Sequence, residues 1–331
     1  MSKRATAREV AAAAGVSKWT VIRAFTPGAS ITEESRRRVL AAAEALNYTP
    51  NLLARSLATN LTHQVAVFVD DFANPQKLPF LEALTARLQA EGRVVMLINI
   101  NTQFDHVRAL LNADQRQVDA VILFGTAFRD ETLRDRKLSK GMPPLFVLAR
   151  DSQIEGIPAV VCDAQLALRD IVSHLAGKGY RRPGFMAGAQ VLSTALQRKH
   201  YFAHFWGRHG ISVSTELSAD DYSWKAGATA LHSYLSITPP AERIDVLMCE
   251  NDILAMGALD VLRSDFGLRV PEDMAVLGFD NLELSGTPAY SLTTYEQPLH
   301  AMVDTVVAMV TGDLESKTVA ISGQLILRST A

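Results

Sequence analysis

"AREVAAAAGVSKWTVIRAF", residues 7–25, reads as two short helices joined at Gly15. Thr6, followed three positions later by Glu9, is a capping-box pattern that predicts a helix start. Gly15 supplies the left-handed backbone of a tight turn, and Ala11 is small where a second helix must approach. Val10, Val16 and Val21 are spaced to share a miniature core, and Ser17 is placed to cap the second helix, "KWTVIRA". The face opposite Val21 then carries Lys18, Trp19 and Arg23. A tryptophan turned to solvent calls for a covering partner. Arg pairs bidentately with guanine, Lys reaches guanine or phosphate, an indole presses on a thymine methyl, and Ser17 and Thr20 suit phosphate oxygens. The stretch therefore reads as a helix-turn-helix with its second helix built for a major groove, the alternative being a plain helical hairpin.

Working outward, "ITEESRRRVLAAAEALNY" (residues 31–48) predicts a third helix capped at Thr32, with Val39, Leu40, Ala43 and Leu46 closing a three-helix core. Arg36, Arg37 and Arg38 fall in its first turns, where at least one is expected to face phosphate. Pro50 then breaks the chain and Asn51 can cap a segment, 52–58, too short to be a stable helix alone. Residues 1–63 hold nine Lys/Arg against four Asp/Glu, a local charge of +5 within a total of −2, which leaves −7 on the rest. A basic head on an acidic body suits a phosphate-facing end, or simply an uneven solvated surface.

The body changes rhythm at Gln64. "VAVFV", "RVVMLINI", "AVILFG" and "PLFVLA" read as buried parallel strands, with "FLEALTARLQAEG", "HVRALLNADQ" and "ETLRDRKLS" as helices between them. The alternation resumes after residue 163, predicting two doubly wound α/β subdomains with a ligand cleft at their strand ends. A chain of 331 residues, 48% hydrophobic and 21% charged, is long enough for several such units, and it has no charge-free run of 18 apolar residues to span a membrane. The opening "MSKRATAREV" is basic without an apolar block, and Cys162 and Cys249 suit a reducing compartment, so a cytoplasmic location is expected.

The motifs "REVAAAAGVSKWTVIRAF", "ITEESRRRVLAAAEALNYTPN" and "ARSLAT", in this order and spacing, resemble the LacI/GalR family of bacterial transcription regulators. The resemblance extends to about Arg328 through "ANP", "GYRRPGF", "CENDILAMGAL", "VPEDMAVLGFDN" and "SLTTYEQP". It implies an all-α helix-turn-helix head (1–49), a hinge helix and linker (50–63), and an α/β periplasmic-binding-protein-like core of two doubly wound parallel-sheet subdomains. Their implied bounds are 64–162 plus 294–322 and 163–293 plus 323–331, with the chain crossing near Cys162, Thr293 and Ser322. The implied activity is sequence-specific binding of a pseudo-palindromic operator in double-stranded DNA by a homodimer, controlled by a small polar effector. Such a protein most resembles a repressor of carbohydrate or sugar-acid utilisation. Asn51, Ala54, Arg55 and Leu57 would join Ser17, Lys18, Trp19, Thr20 and Arg23 on DNA, with Leu57 wedged into the minor groove. Ile22 stands where the family usually has a small polar residue near phosphate.

Carried over in the same way, effector contacts are expected from Arg198, Asn251, Asp280 and Gln297, with Asp252 bracing a loop and Tyr222, or Trp224, forming an aromatic wall. Asn251 and Asp280 could alternatively cap the turns after their strands. On the first subdomain, Phe72, Gln76, Lys77 and Arg150 complete the expected site. Gln76 and Lys77 replace the aromatic pair common after "ANP", which disfavours a stacked nucleobase. Lys77, Arg150 and Arg198 would suit a sugar acid or sugar phosphate unless Asp70 and Asp71 neutralise them, in which case a neutral sugar fits. Tyr201 occupies a usual glycine position, with no role evident from sequence.

No catalytic residue, cofactor or metal is expected. The chain lacks G-x-G-x-x-G, G-x-x-x-x-G-K-[ST] and G-x-S-x-G turns, and His200 and His204, although four apart, have no third ligand beside them in sequence.

Overall fold

The computed structural model describes residues 5–26, 28–49, 61–100, 106–126, 128, 142–152, 154–189 and 197–331. The expected hinge contacts Asn51, Ala54, Arg55 and Leu57, and the helix expected over 131–139, lie outside the described residues. The chain divides into two compact units, 1–62 and 63–331.

In the first unit, α1 (Ala7–Ala14), α2 (Lys18–Ala24) and α3 (Glu33–Ala45) surround Val10, Val21 and Val39, all fully buried. Thr6 and Glu9 form the capping box, Gly15 ends α1 at φ 61°, and Ser17 and Thr32 cap the next two helices. Two expectations fail. Leu40 is 45% and Leu46 38% exposed, so neither closes the core. Leu40 lies one step around the helix from the buried Val39–Ala43 stripe, and Leu46 comes after the last helical turn, where Tyr48 packs on Phe25 instead at 5.8 Å. Of the three arginines, Arg37 is exposed, and the other two turn to the protein. Arg36 donates to the Ala24 carbonyl (3.0 Å), and Arg38 to the carbonyls of Ala14 (3.0 Å) and Gly15 (2.9 Å). Both thereby satisfy orphan carbonyls where α1 and α2 end.

The second unit holds two six-stranded sheets. One contains β1 (Gln64–Val69), β2 (Val94–Asn99), β3 (Ala120–Phe124), β4 (Leu145–Leu148), β5 (Ala159–Cys162) and β11 (Val319–Ile321), ordered 11-5-4-3-1-2 and parallel throughout. The other contains β6 (Pro183–Ala187), β7 (Thr215–Ser218), β8 (Val246–Cys249), β9 (Ala275–Asp280), β10 (Thr293–Glu296) and β12 (Gln324–Ile326), ordered 12-10-9-8-6-7. Among the described residues, only its β10–β12 pair is antiparallel. Helices α4 (Lys77–Ala90), α5 (His106–Gln115) and α10 (Leu299–Thr311) accompany the first sheet. Helices α6 (Ala164–Gly177), α7 (Arg198–Arg208), α8 (Trp224–Ile237) and α9 (Asp252–Asp260) accompany the second. The central strands are buried on both faces, as their continuous apolar runs require.

The chain passes between the sheets after β5, between β10 and α10, and between β11 and β12. The crossing expected near Thr293 therefore falls at 297–298, because Thr293–Glu296 pair with Leu277–Asp280 in the second sheet. Strand order reverses between β1 and β3 in one sheet and between β6 and β8 in the other, which marks where a ligand crevice opens.

Candidate functional site

The carboxyl ends of β1, β3 and β4 face those of β8 and β9 across a small cavity. On the first-subdomain bank it is lined by Gln76, Lys77 and Arg150 together with Asp70 and Asp71. On the other it is lined by Arg198, Tyr222, Asn251, Asp280 and Gln297. Phe72, 39% exposed, is not part of the wall. Asp252 lies behind it, fully buried.

The first bank is largely satisfied by its own groups. Lys77 Nζ pairs with Asp70 Oδ1 at 3.1 Å, donates to the Phe124 carbonyl at 3.3 Å, and lies 4.3 Å from the Phe124 ring centre. Gly125 permits this pairing, since a Cβ there would sit 2.1 Å from Asp70 Oδ1. Arg150 is 2% exposed and donates to the carbonyls of Gly125 (2.8 Å), Asp151 (2.8 Å) and Phe128 (3.1 Å). Asp71 is raised to about 6 by burial, against the opposing pull of Lys77.

On the second bank the bonds form a chain. Gln297 Nε2 donates to Asp280 Oδ1 at 2.6 Å, leaving Gln297 Oε1 buried without a partner. Arg198 lies flat on the Phe279 ring at 3.7 Å, donates to the Glu250 carbonyl at 2.5 Å, and approaches Asp280 Oδ1 at 4.0 Å. Burial raises the Asp280 carboxyl to about 7, although Arg198 pulls the other way. Asp280 also holds φ at 123°, a strained conformation of the kind kept at binding sites. Asn251 caps α9 through Oδ1 to Leu254 N (3.2 Å) as well as lining the cavity, so the capping and lining readings hold together.

Asp252 accepts from Leu282 N (2.8 Å), Ser285 Oγ (2.5 Å) and Thr294 Oγ1 (2.5 Å), tying the segment after β9 to β10. Gly278 leaves room for it, because a Cβ there would lie 2.1 Å from its Oδ1. Of the two aromatic candidates, Tyr222 forms the wall, whereas Trp224 is 43% exposed and donates to Asp260 Oδ2 at 2.7 Å.

Sequence reasoning missed Glu250. Its Oε2 accepts from Tyr222 Oη at 2.9 Å and from Gly188 N at 2.7 Å, so it orients the aromatic wall. The available signal was an acid directly after the apolar strand "VLMC".

In the head, Ser17, Lys18, Trp19 and Arg23 are exposed and Thr20 is half-buried. Trp19 is 68% exposed, and the Ser17 and Thr20 hydroxyls bond one another at 2.9 Å. Among the described residues, no three His, Cys, Asp or Glu gather as metal ligands, and no helix is long and apolar enough to cross a membrane.

Residues 6–51 match the family described as bacterial regulatory proteins, lacI family, and residues 172–330 match the periplasmic binding protein-like domain. The chain thus carries a lacI-family helix-turn-helix domain and a periplasmic-binding-protein-like domain. Among its LacI-family relatives, the HTH-type transcriptional repressor CytR of Escherichia coli (strain K12) is 27% identical over 297 residues, covering 89% of this chain and 85% of CytR. The probable HTH-type transcriptional repressor ExuR of Bacillus subtilis (strain 168) is 27% identical over 299 residues, covering 89% and 87%. The Lac repressor dimer bound to operator and the anti-inducer ONPF superposes with a TM-score of 0.83 at 24% identity, covering 99% of each chain. These LacI-family relatives are transcriptional regulators rather than enzymes.

Proposed function

We propose that this protein is a homodimeric, non-enzymatic repressor acting in the cytoplasm, whose operator binding is set by a neutral polyhydroxylated effector in the cleft cavity. The observation that carries the effector class is the charge balance of that cavity. Lys77 is paired to Asp70, and Arg150 is spent on three carbonyls. An anionic sugar would thus meet a lysine already ion-paired and an arginine whose N–H groups are already bonded, whereas hydroxyls can donate to Gln297 Oε1 and to Asp280. The sugar-acid and sugar-phosphate readings are the weaker ones on this ground.

The DNA reading rests on the exposed Lys18–Trp19–Arg23 face of α2. Leu78, Val94 and Leu97, at 62%, 62% and 49% exposure on α4 and β2, form an apolar face suited to a second copy. An effector that prefers one arrangement of the two subdomains shifts operator affinity by its differential binding, and the coupling is reciprocal.

The test is Arg198→Ala. Saccharides are screened by thermal shift on the wild-type protein, and operator fragments are selected from random duplex DNA. The variant should keep operator affinity in the absence of sugar while its sugar affinity falls about 100-fold, equivalent to about 2.7 kcal/mol. Equal sugar affinity in the two proteins would place the ligand elsewhere.

A further inference from the structure

Helix α2 is seven residues long, and its two sides differ sharply. Val21 and Ala24 are buried in the head's small core, and Thr20 is half-buried. At about 100° per residue, Trp19 points away from Val21 and Ala24, with Arg23 on one side of it and Ile22 on the other. Trp19 is 68% exposed and Ile22 36%. Residues three apart are neighbours on a helix surface, about 5–6 Å between their Cβ atoms. Lys18 lies one turn before Ile22, and Trp19 one turn before Arg23. The exposed face is therefore two short rows, each with one cation and one apolar side chain.

Ile22 has no role in the reading given above. The core takes Val21 and Ala24 from this helix, and Ile22 carries no side-chain polar atom for a phosphate oxygen. At the start of the helix, the Ser17 and Thr20 hydroxyls bond one another at 2.9 Å and Ser17 Oγ accepts from Thr20 N at 3.1 Å, so these polar groups already bond within the helix. In the major groove a base pair presents donors and acceptors and one apolar group, the 5-methyl of thymine. An isoleucine beside a tryptophan matches that methyl. It also rejects the alternatives, because cytosine N4–H₂ or guanine O6 pressed against it would be left unbonded. The flanking cations and the +5 charge of residues 1–63 favour a phosphate-bearing partner for this face over an apolar protein surface.

We propose that Ile22 is a specificity-determining residue which, with Trp19, forms an apolar strip that reads the 5-methyl groups of two thymines on neighbouring or next-but-one base pairs. The spacing follows from the two geometries. Side chains about 5–6 Å apart, set against a rise of about 3.4 Å per base step, reach pairs one or two steps apart. This rests on α2 being the helix that enters the groove, and it adds the base-edge chemistry that the helix selects.

The experiment starts from the operator that the full chain selects from random duplex DNA. Each thymine of the site is replaced singly by deoxyuridine, which lacks only the 5-methyl, and affinity is measured by fluorescence anisotropy at one fixed salt concentration. Two of these duplexes, changed one or two pairs apart, should bind about four-fold more weakly, the equivalent of about 0.8 kcal/mol for one buried methyl-sized group. Ile22→Ala should abolish the loss at one of the two positions and Trp19→Ala the loss at the other. Both side chains are exposed, so neither change opens the core. A selected site with no two thymines at this spacing overturns the proposal. It is equally overturned if no deoxyuridine weakens wild-type binding beyond about 1.5-fold, or if every loss survives in Ile22→Ala. Arg23→Ala separates the two readings, since it should weaken binding to every duplex. Were Arg23→Ala to bind the selected operator as tightly as wild type, the docking of α2 and the thymine reading would fall together.

Discussion

The two banks of the cleft use similar residues to opposite ends. On the first, Lys77 and Arg150 are absorbed by Asp70 and by backbone carbonyls of their own subdomain. On the second, the chain from Arg198 through Asp280 to Gln297 stops at an acceptor with no partner. Charge close to a pocket is therefore a poor guide to what the pocket binds. On the proposed reading, the open valences of the second bank set the ligand chemistry, and the closed first bank supplies shape.

The largest expected effect comes from the brace beneath the open bank. Asp252→Ala removes the acceptor of three bonds from Leu282, Ser285 and Thr294 and leaves a buried amide and two hydroxyls unpaired. A loss of about 3 kcal/mol or more is expected in chemical denaturation. A loss below about 1 kcal/mol would mean that the loop after β9 holds itself, and the open bank would not depend on this brace.

A smaller effect is read through pH. Burial holds the Asp280 carboxyl at about 7, above its unfolded value, so the folded state binds the proton more tightly. The stability this contributes is fully present below the unfolded pKa near 4 and is lost as pH rises through about 7. Melting temperature should therefore fall between pH 5 and 8 more steeply in wild type than in Asp280→Asn, where the amide stays neutral. Parallel curves would show that Arg198 and Gln297 compensate the charge in full, making the second bank as closed as the first.

Much of this was legible in sequence, though unevenly. The head could be read almost residue by residue because its signals are local: Thr6 with Glu9, Gly15, Ser17 and Thr32 each act within one helical turn. Where reading slipped, at Leu40 and Leu46, the error was one of facing at a helix edge and end, which neighbouring helices decide. In the body, alternation announced two sheets, but the crossing after β10 depended on pairing with β9, a non-local fact. The lining positions came from motif resemblance. What sequence could not supply was who pairs with whom: that Arg150 ends on carbonyls of Gly125 and Phe128, or that Glu250 holds Tyr222. Phe72 shows the reverse, a residue at the right place in the motif that the turn at Asp71, with φ 48°, is followed by without bringing it to the wall.

The smallest expected effect is also the sharpest test of the contrast between the banks. If the Lys77–Asp70 pair only shapes the cavity, replacing both members should matter little, because the desolvation of two buried charges is removed together with their attraction. The double variant Asp70→Asn/Lys77→Met should change folding stability by no more than about 1 kcal/mol. Lys77→Met alone should cost more, since it removes the cation and leaves the carboxylate in a buried site. In the double variant, affinity for a neutral saccharide should stay within about three-fold of wild type, against the roughly 100-fold loss in Arg198→Ala. A double variant that folds normally yet loses the saccharide would show that the pair opens when ligand arrives. Lys77 would then be a contact held in reserve, and the first bank would be as much a part of recognition as the second.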